Sequence, residues 1–202
     1  GVGNDWLSGG AGDDTLRGGA GADTMIGGAH SIGDTLSYAG AGSGVTLTIT
    51  GNSGTGSGGD AQGDTFSGIE SILGTGHGDV FNLDALNAMK IDGGAGSDRV
   101  NLTTAGSYNS ASALESALDN IEIIDFKASG VAASLTLSAS DIQGIASAGT
   151  ASHVTFALDG NDSLTFQGSF QDNRVGGIGD VIFFTGSTYV PGNETARVSV
   201  SG

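Results

Sequence analysis

Asp5, Asp14 and Asp23 follow one another at intervals of nine residues, and Leu7, Leu16 and Met25 keep the same interval two places later. Carboxylates repeated at a fixed spacing can hold a cation if the chain stacks them. In register, Gly1-Val2-Gly3-Asn4-Asp5-Trp6-Leu7-Ser8 precedes Gly9-Gly10-Ala11-Gly12-Asp13-Asp14-Thr15-Leu16-Arg17, and then comes Gly18-Gly19-Ala20-Gly21-Ala22-Asp23-Thr24-Met25-Ile26. A fourth unit starts at Gly27-Gly28-Ala29 and recovers Asp34-Thr35-Leu36 after two extra residues. Strands in a parallel stack lie about 4.8 Å apart, and two carboxylates at that distance repel by about 3.5 kcal/mol at an effective dielectric of ~20. A divalent cation between turns reverses the sign. Ligation by carboxylate and loop carbonyl oxygens alone suits Ca²⁺ better than a transition metal.

The elements needed to position these acids follow from the same spacing. Glycine at the first, second and fourth places of each unit opens backbone angles closed to other residues, so six residues can form a compact turn. The next three, such as Thr15-Leu16-Arg17, make a short strand whose middle apolar residue faces inward. Gly-Asp pairs are also ordinary surface-turn formers. Three adjacent units in strict register, each with both the acid and the apolar residue, set that reading aside.

Composition agrees. The 202 residues include 39 Gly, 1 Pro and no Cys, with 6 Lys plus Arg against 22 Asp plus Glu and a formal net charge of −16. Collagen needs abundant proline, and a helical protein would lose about 1 kcal/mol at each interior glycine. Disulfides and thiolate chemistry are excluded with the missing cysteine. The acidity disfavours nucleic acid, which is held by Lys and Arg, and no apolar run approaches the ~20 residues of a membrane span. Without an initiator Met or a basic, apolar leader at Gly1, the chain reads as a piece of a longer protein.

The nonapeptide G-G-x-G-x-D-x-U-x resembles the calcium-binding repeat of the RTX family, and the likeness covers residues 1–37. The resemblance implies a right-handed parallel β-roll with two nonapeptides per turn and Ca²⁺ held between turns along each edge. It implies as ligands the carboxylates of Asp5, Asp14, Asp23 and Asp34, with loop carbonyls around Gly10, Gly12, Gly19, Gly21 and Gly28. His30 and Ser31 stand where the family has glycine.

A sparser second block follows. Asp64-Thr65-Phe66-Ser67 repeats Asp34-Thr35-Leu36-Ser37, Gly78-Asp79-Val80-Phe81-Asn82 comes next, and Gly93-Gly94-Ala95-Gly96-Ser97-Asp98-Arg99-Val100-Asn101 is a full-length unit. Asp98, with Gly94 and Gly96, and Asp79 are further expected calcium ligands; Asp64 is either a ligand or an ordinary turn residue. Ile69-Glu70-Ser71-Ile72 recurs as Ile121-Glu122-Ile123-Ile124, 52 residues on from Glu70 to Glu122, a period of the size found in solenoids. With Leu135 to Ile142, this wording resembles segments near the C-termini of large bacterial RTX adhesins, over residues 64–170.

Between the blocks, Val45 to Thr50 alternates as a half-buried strand should, and Gly51 to Gly59 reads as a loop. Short helices are expected from Ser112 toward Asn120 and from Ser138 to Ala146, with a single turn at Asp84–Met89. Val154 to Phe166 suggests a hairpin, and Ile182 to Val200 two or three strands. Gly176-Gly177-Ile178-Gly179-Asp180 has its acid one place early and is assigned no metal. His30, His77 and His153 are isolated, and no hydrolase, zinc-protease or P-loop pattern occurs, so no catalytic residue is expected.

The expectation is an all-β chain: a β-roll over residues 1–37, a strand plus second repeat block over 38–106, and a β-solenoid or β-sandwich-like region with one to three short helices over 107–202. The RTX resemblance implies a module that folds outside the cell on binding several Ca²⁺ ions. It implies export by type I secretion machinery and a secreted or cell-surface location in an adhesin, S-layer or biofilm protein; a separate reading gives residues 38–202 a cell-surface or glycan ligand. The alternative is the noncatalytic C-terminal module of a secreted protease, lipase or polysaccharide epimerase, or of an RTX toxin.

Overall fold

A computed structural model describes residues 1–85, 89–103, 107–108, 114, 116–126, 134–138, 153–157, 163–167, 188–189 and 195–199. Its first strands run β1 (Trp6–Ala11), β2 (Thr15–Leu16), β3 (Thr24–Ala29), β4 (Thr35–Ser37), β5 (Thr46–Thr50), β6 (Ser53–Ser57), β7 (Thr65–Ser67), β8 (Ser71–Leu73), β9 (Val80–Leu83) and β10 (Lys90–Asp92). Then come β11 (Arg99–Leu102), β12 (Ser107–Tyr108), β13 (Leu118–Asp119), β14 (Ile123–Asp125), β15 (Ser134–Ser138), β16 (His153–Ala157), β17 (Ser163–Gln167), β18 (Thr188–Tyr189) and β19 (Thr195–Ser199). They form a ten-stranded sheet ordered β1-β3-β7-β6-β5-β9-β11-β14-β16-β19, a five-stranded sheet ordered β13-β10-β8-β4-β2, and a four-stranded sheet ordered β12-β15-β17-β18. The fold is nearly all β, with the parallel stacking of a β-roll.

From β1 to β4 and from β7 to β11 the chain alternates between the two larger sheets, one strand in each per turn. Trp6 sits beside Thr24, and Thr15 beside Thr35, in parallel register. Between the sheets the apolar residues form columns. Leu16, Leu36, Ile72, Ile91 and Leu118 stack in the five-stranded sheet, and Leu47, Phe81, Val100, Ile124 and Phe156 in the ten-stranded one. All ten are buried. The middle residue of each nonapeptide strand thus builds the core.

Four expectations meet a different or narrower structure. Residues 51–59 are no mere loop: β6 returns antiparallel to β5 and then pairs antiparallel with β7. Its glycines permit this. A Cβ on Gly54 would lie 2.5 Å from Phe66 Cζ, and one on Gly56 2.7 Å from the Ala61 carbonyl oxygen, so a side chain at either place would displace the core. Residues 59–61 add a 3-10 turn that buries Ala61. The expected Val154–Phe166 hairpin does not form; β16 stacks parallel on β14 while β17 stacks parallel on β15, so the period of the roll overrides the local turn signal. The helix expected toward Asn120 is helical at Leu114, Ser116 and Ala117 and gives way to β13. Asp84 and Ala85 form a bend. The helix at 138–146 falls outside the described residues apart from Ser138, which ends β15, and Gly176–Asp180 lies outside them altogether.

The inserted hairpin gives a packing test. Gly54→Ala should destabilise the calcium-loaded chain by about 1–3 kcal/mol through overpacking. Gly42→Ala, where a Cβ meets nothing within 4 Å, should stay within about 0.5 kcal/mol. Thermal denaturation of the two variants compares them directly.

Candidate metal centre

An acid stands immediately before nine of the roll strands: Asp5, Asp14, Asp23, Asp34, Asp64, Glu70, Asp79, Asp98 and Glu122. Because each strand lies beside its counterpart one turn on, the acids line up along the edges where the chain crosses between sheets. Asp5, Asp23 and Asp64 form one column, Asp14, Asp34 and Glu70 a second, and Asp79, Asp98 and Glu122 a third.

Within each column every acid grips the next. The Asp5 amide donates to Asp23 Oδ1 at 2.7 Å, 18 residues away, and the Asp23 amide donates to Asp64 Oδ1 at 2.8 Å. Asp14 donates to Asp34 Oδ1 at 2.8 Å and Asp34 to Glu70 Oε2 at 2.9 Å. Asp79 donates to Asp98 Oδ1 and Asp98 to Glu122 Oε2, both at 2.7 Å. A second contact locks each step, since the carbonyl of one acid accepts from the residue after the next acid: Asp5 from Thr24 at 2.8 Å, Asp14 from Thr35 at 2.7 Å, Asp98 from Ile123 at 3.0 Å. Charge-assisted bonds of this length are about twice as strong as neutral ones.

These bonds use one oxygen of Asp23, Asp34, Asp64, Glu70, Asp98 and Glu122, while Asp5 and Asp14, at the starts of their columns, contribute only an amide to them. Asp14 Oδ2, Asp23 Oδ2, Asp34 Oδ2 and Asp98 Oδ2 are buried and have no hydrogen-bond partner. Those of Asp14, Asp23 and Asp34 face the first glycine of their own turn: a Cβ on Gly9 would lie 2.8 Å from Asp14 Oδ2, one on Gly27 2.6 Å from Asp34 Oδ2, and one on Gly18 would overlap Asp23 Oδ2. A buried, charged oxygen without a partner is strongly unfavourable, so these atoms fit a cation. No three His, Cys, Asp or Glu side chains converge on a common point among the described residues. An ion held by one of these carboxylates would draw its other ligands from main-chain carbonyls, which is the chemistry of a hard, oxygen-seeking ion such as Ca²⁺. The glycines expected to shape the loops, Gly10, Gly12, Gly19, Gly21, Gly28, Gly94 and Gly96, all have positive φ. A Cβ on Gly19, Gly21 or Gly28 would overlap the carbonyl of Gly1, Gly3 or Gly10 one turn below.

Not every expected ligand has a free oxygen. Both oxygens of Asp64 are engaged, Oδ1 by the Asp23 amide and Oδ2 by the Tyr38 hydroxyl at 2.9 Å. Burial foremost, then the neighbouring Asp64 charge, holds the Tyr38 phenol protonated far above its usual range, and burial raises the Asp64 carboxyl. Asp79 accepts the Val45 amide on Oδ1 at 2.7 Å and the Thr75 amide on Oδ2 at 2.6 Å. Asp5, at the end of its column, is half exposed.

Several participants carry no nonapeptide signal. Glu70 and Glu122 take the place of Asp at the far end of two columns, behind the fully buried Ile69 and Ile121. The Ile-Glu repeat in the sequence is therefore a ladder end, and its spacing was the available clue. Asp13 accommodates the two extra residues of the fourth unit: Oδ1 accepts the amides of Ser31, Ile32 and Gly33 at 2.9, 2.8 and 3.1 Å, and Oδ2 the Ser31 hydroxyl at 2.9 Å. Those bonds, Ile32's foremost, hold the Asp13 carboxyl well below the usual carboxylate range. Asp34 thereby keeps its place in the column despite His30 and Ser31.

The comparisons meet this geometry at its clearest part. Residues 1–29 match the RTX calcium-binding nonapeptide repeat in four copies. This region consists of RTX repeats. Repeats of this kind bind Ca²⁺ at several sites, and as modules they are typically noncatalytic. Comparison with curated proteins gives no match. The RTX match ends before Asp34, yet the same ladder, with the same free oxygen, reappears at Asp98.

Asp98 supplies a pH test. Burial above all, then the charges of Asp79, Glu122 and Asp92, raises its carboxyl from the ordinary 3.8 to about 7. A group whose folded value exceeds its unfolded one costs nothing below both, and its cost grows as pH climbs between them. The metal-free fold should lose stability from about pH 4 to about 7, and the calcium-induced rise in melting temperature should grow over the same window. Asp98→Asn should flatten that growth when melting is followed with EDTA and with calcium across pH.

Proposed function

We propose that the chain is a calcium-triggered folding module of a secreted bacterial protein, exported by a type I system and displayed outside the cell as part of an adhesin, S-layer or biofilm protein. Four of the buried carboxylate oxygens without partners, those on Asp14, Asp23, Asp34 and Asp98, carry this reading. Where calcium is scarce, stacked acids in a chain of net charge −16 repel and the end turns stay open. Where calcium is abundant, each ion bound only by the folded chain contributes RT ln(1 + [Ca]/Kd), about 2.7 kcal/mol at a hundredfold excess. A few such sites match the whole stability of an ordinary domain.

The ligands in this reading are the carboxylates of Asp14, Asp23, Asp34 and Asp98, with Asp5 at the open end, completed by carbonyls of the glycine loops around Gly10, Gly12, Gly19, Gly21, Gly28, Gly94 and Gly96. The extracellular setting rests on the RTX repeats and the calcium chemistry. Among the described residues no helix is long and apolar enough to cross a membrane.

Far-UV circular dichroism should show β signal reduced in EDTA and restored with calcium. Calcium titration by calorimetry should find several sites. Asp34→Asn should lower the calcium-loaded stability by about 2–3 kcal/mol, the worth of one such site, with little effect in EDTA. Unchanged melting of the wild-type chain on removing calcium would overturn the proposal.

A further inference from the structure

Asp64 and Asp79 are as deeply buried as Asp23, Asp34 and Asp98, each 1% exposed, yet both oxygens of each already accept a hydrogen bond. Tyr38, itself buried, fills Asp64 Oδ2 with a hydroxyl at 2.9 Å. At Asp79 the loop backbone does the same work: the Thr75 amide reaches Oδ2 at 2.6 Å and the Val45 amide reaches Oδ1 at 2.7 Å. The contrast with Asp98 is informative. The amide at the corresponding loop place, Gly94, turns away to Asp92 Oδ1 at 3.0 Å, and Asp98 Oδ2 is left without a partner.

These two satisfied acids stand at the two ends of one interruption. In the ten-stranded sheet, β6 and β5 lie between β7, which Asp64 introduces, and β9, which Asp79 introduces. The column breaks here, because the Asp64 amide donates to the Ala61 carbonyl at 3.1 Å and Asp79 accepts from Val45 in place of an acid. The interruption has its own apolar packing, with Val45, Leu47, Ile49, Ala61, Phe66, Ile69 and Phe81 all buried.

We infer that the β5–β6 hairpin with β7 and β9 is a calcium-independent joint, in which the Tyr38 hydroxyl and the Thr75 amide occupy the place a cation takes in other turns. The joint separates two blocks, residues 1–37 and 93–125, that take up calcium independently of each other. This rests on the calcium reading above and adds that the chain is folded at its centre before any ion binds.

Hydrogen exchange of the full chain, read strand by strand in EDTA and in calcium, tests it. In EDTA the amides of β5, β7 and β9 should stay protected, while those of β1 to β4, β11 and β14 exchange at least about tenfold faster than with calcium. Tyr38→Phe should extend calcium dependence to the joint: protection of β7 falls in EDTA and returns with calcium, since Asp64 Oδ2 is now free. Equal loss of protection in all strands of the wild-type chain would overturn the inference, as would a Tyr38→Phe joint indistinguishable from wild type in EDTA. Exchange indifferent to calcium in every strand would instead remove the calcium reading itself, and the inference with it.

Discussion

The hydrogen bond from each acid's amide to the carboxylate of the next turn is the interaction on which the roll depends. It makes a column of like charges into a ladder, because every step supplies a donor to the acid above it. It also sets a requirement, since one donor engages one oxygen and a carboxylate has two. The second oxygen lies inside the turn, against the first glycine of its loop, where water is excluded. Each such oxygen therefore calls for a positive charge or a second donor. At Asp14, Asp23, Asp34 and Asp98 it has no hydrogen-bond partner, whereas at Asp64 and Asp79 a phenol and an amide serve.

The first block was legible because its units are equal in length. Nine-residue spacing singled out Asp5, Asp14 and Asp23 together with Leu16 and Met25 as core, and the two-nonapeptide turn implied by the RTX resemblance divided the acids between two edges. Legibility fades where a partner is not at a fixed interval. Tyr38 meets Asp64 across 26 residues, a separation outside the nine-residue register, and Glu70 and Glu122 enter the columns with a different side chain. The glycine-rich run after Thr50 looked like a loop because propensity reports what the backbone prefers alone. Its strand is imposed by Phe66 and Ala61, which occupy the space that side chains at 54 and 56 would need. The hairpin expected over Val154–Phe166 is absent for a related reason, as β16 and β17 each have a parallel strand waiting in a different sheet.

The hairpin and the two-residue bulge at His30 and Ser31 show how the roll tolerates insertions. In both, the extra residues bring their own hydrogen-bond partners: β6 pairs on both sides, and the loop at 31–33 closes on Asp13. Neither disturbs the acid next to it, since Asp34 and Asp64 still accept from the turn below. The edge position of the acid, fixed by the strand that follows it, is thus insulated from the length of the loop that precedes it.

The glycines that touch carbonyls of the turn beneath have a further consequence. With Gly19 resting on Gly1, Gly21 on Gly3 and Gly28 on Gly10, the pitch of the stack is set by main chain against main chain. Inner side chains then have no part in the rise per turn, and residues as different in volume as Leu7, Met25 and Phe66 share one column. Rungs of this kind are interchangeable. A gene encoding them can gain, lose or exchange whole turns without redesigning the core, so the length of the roll can drift in evolution while its cross-section and its ion-binding edges stay the same.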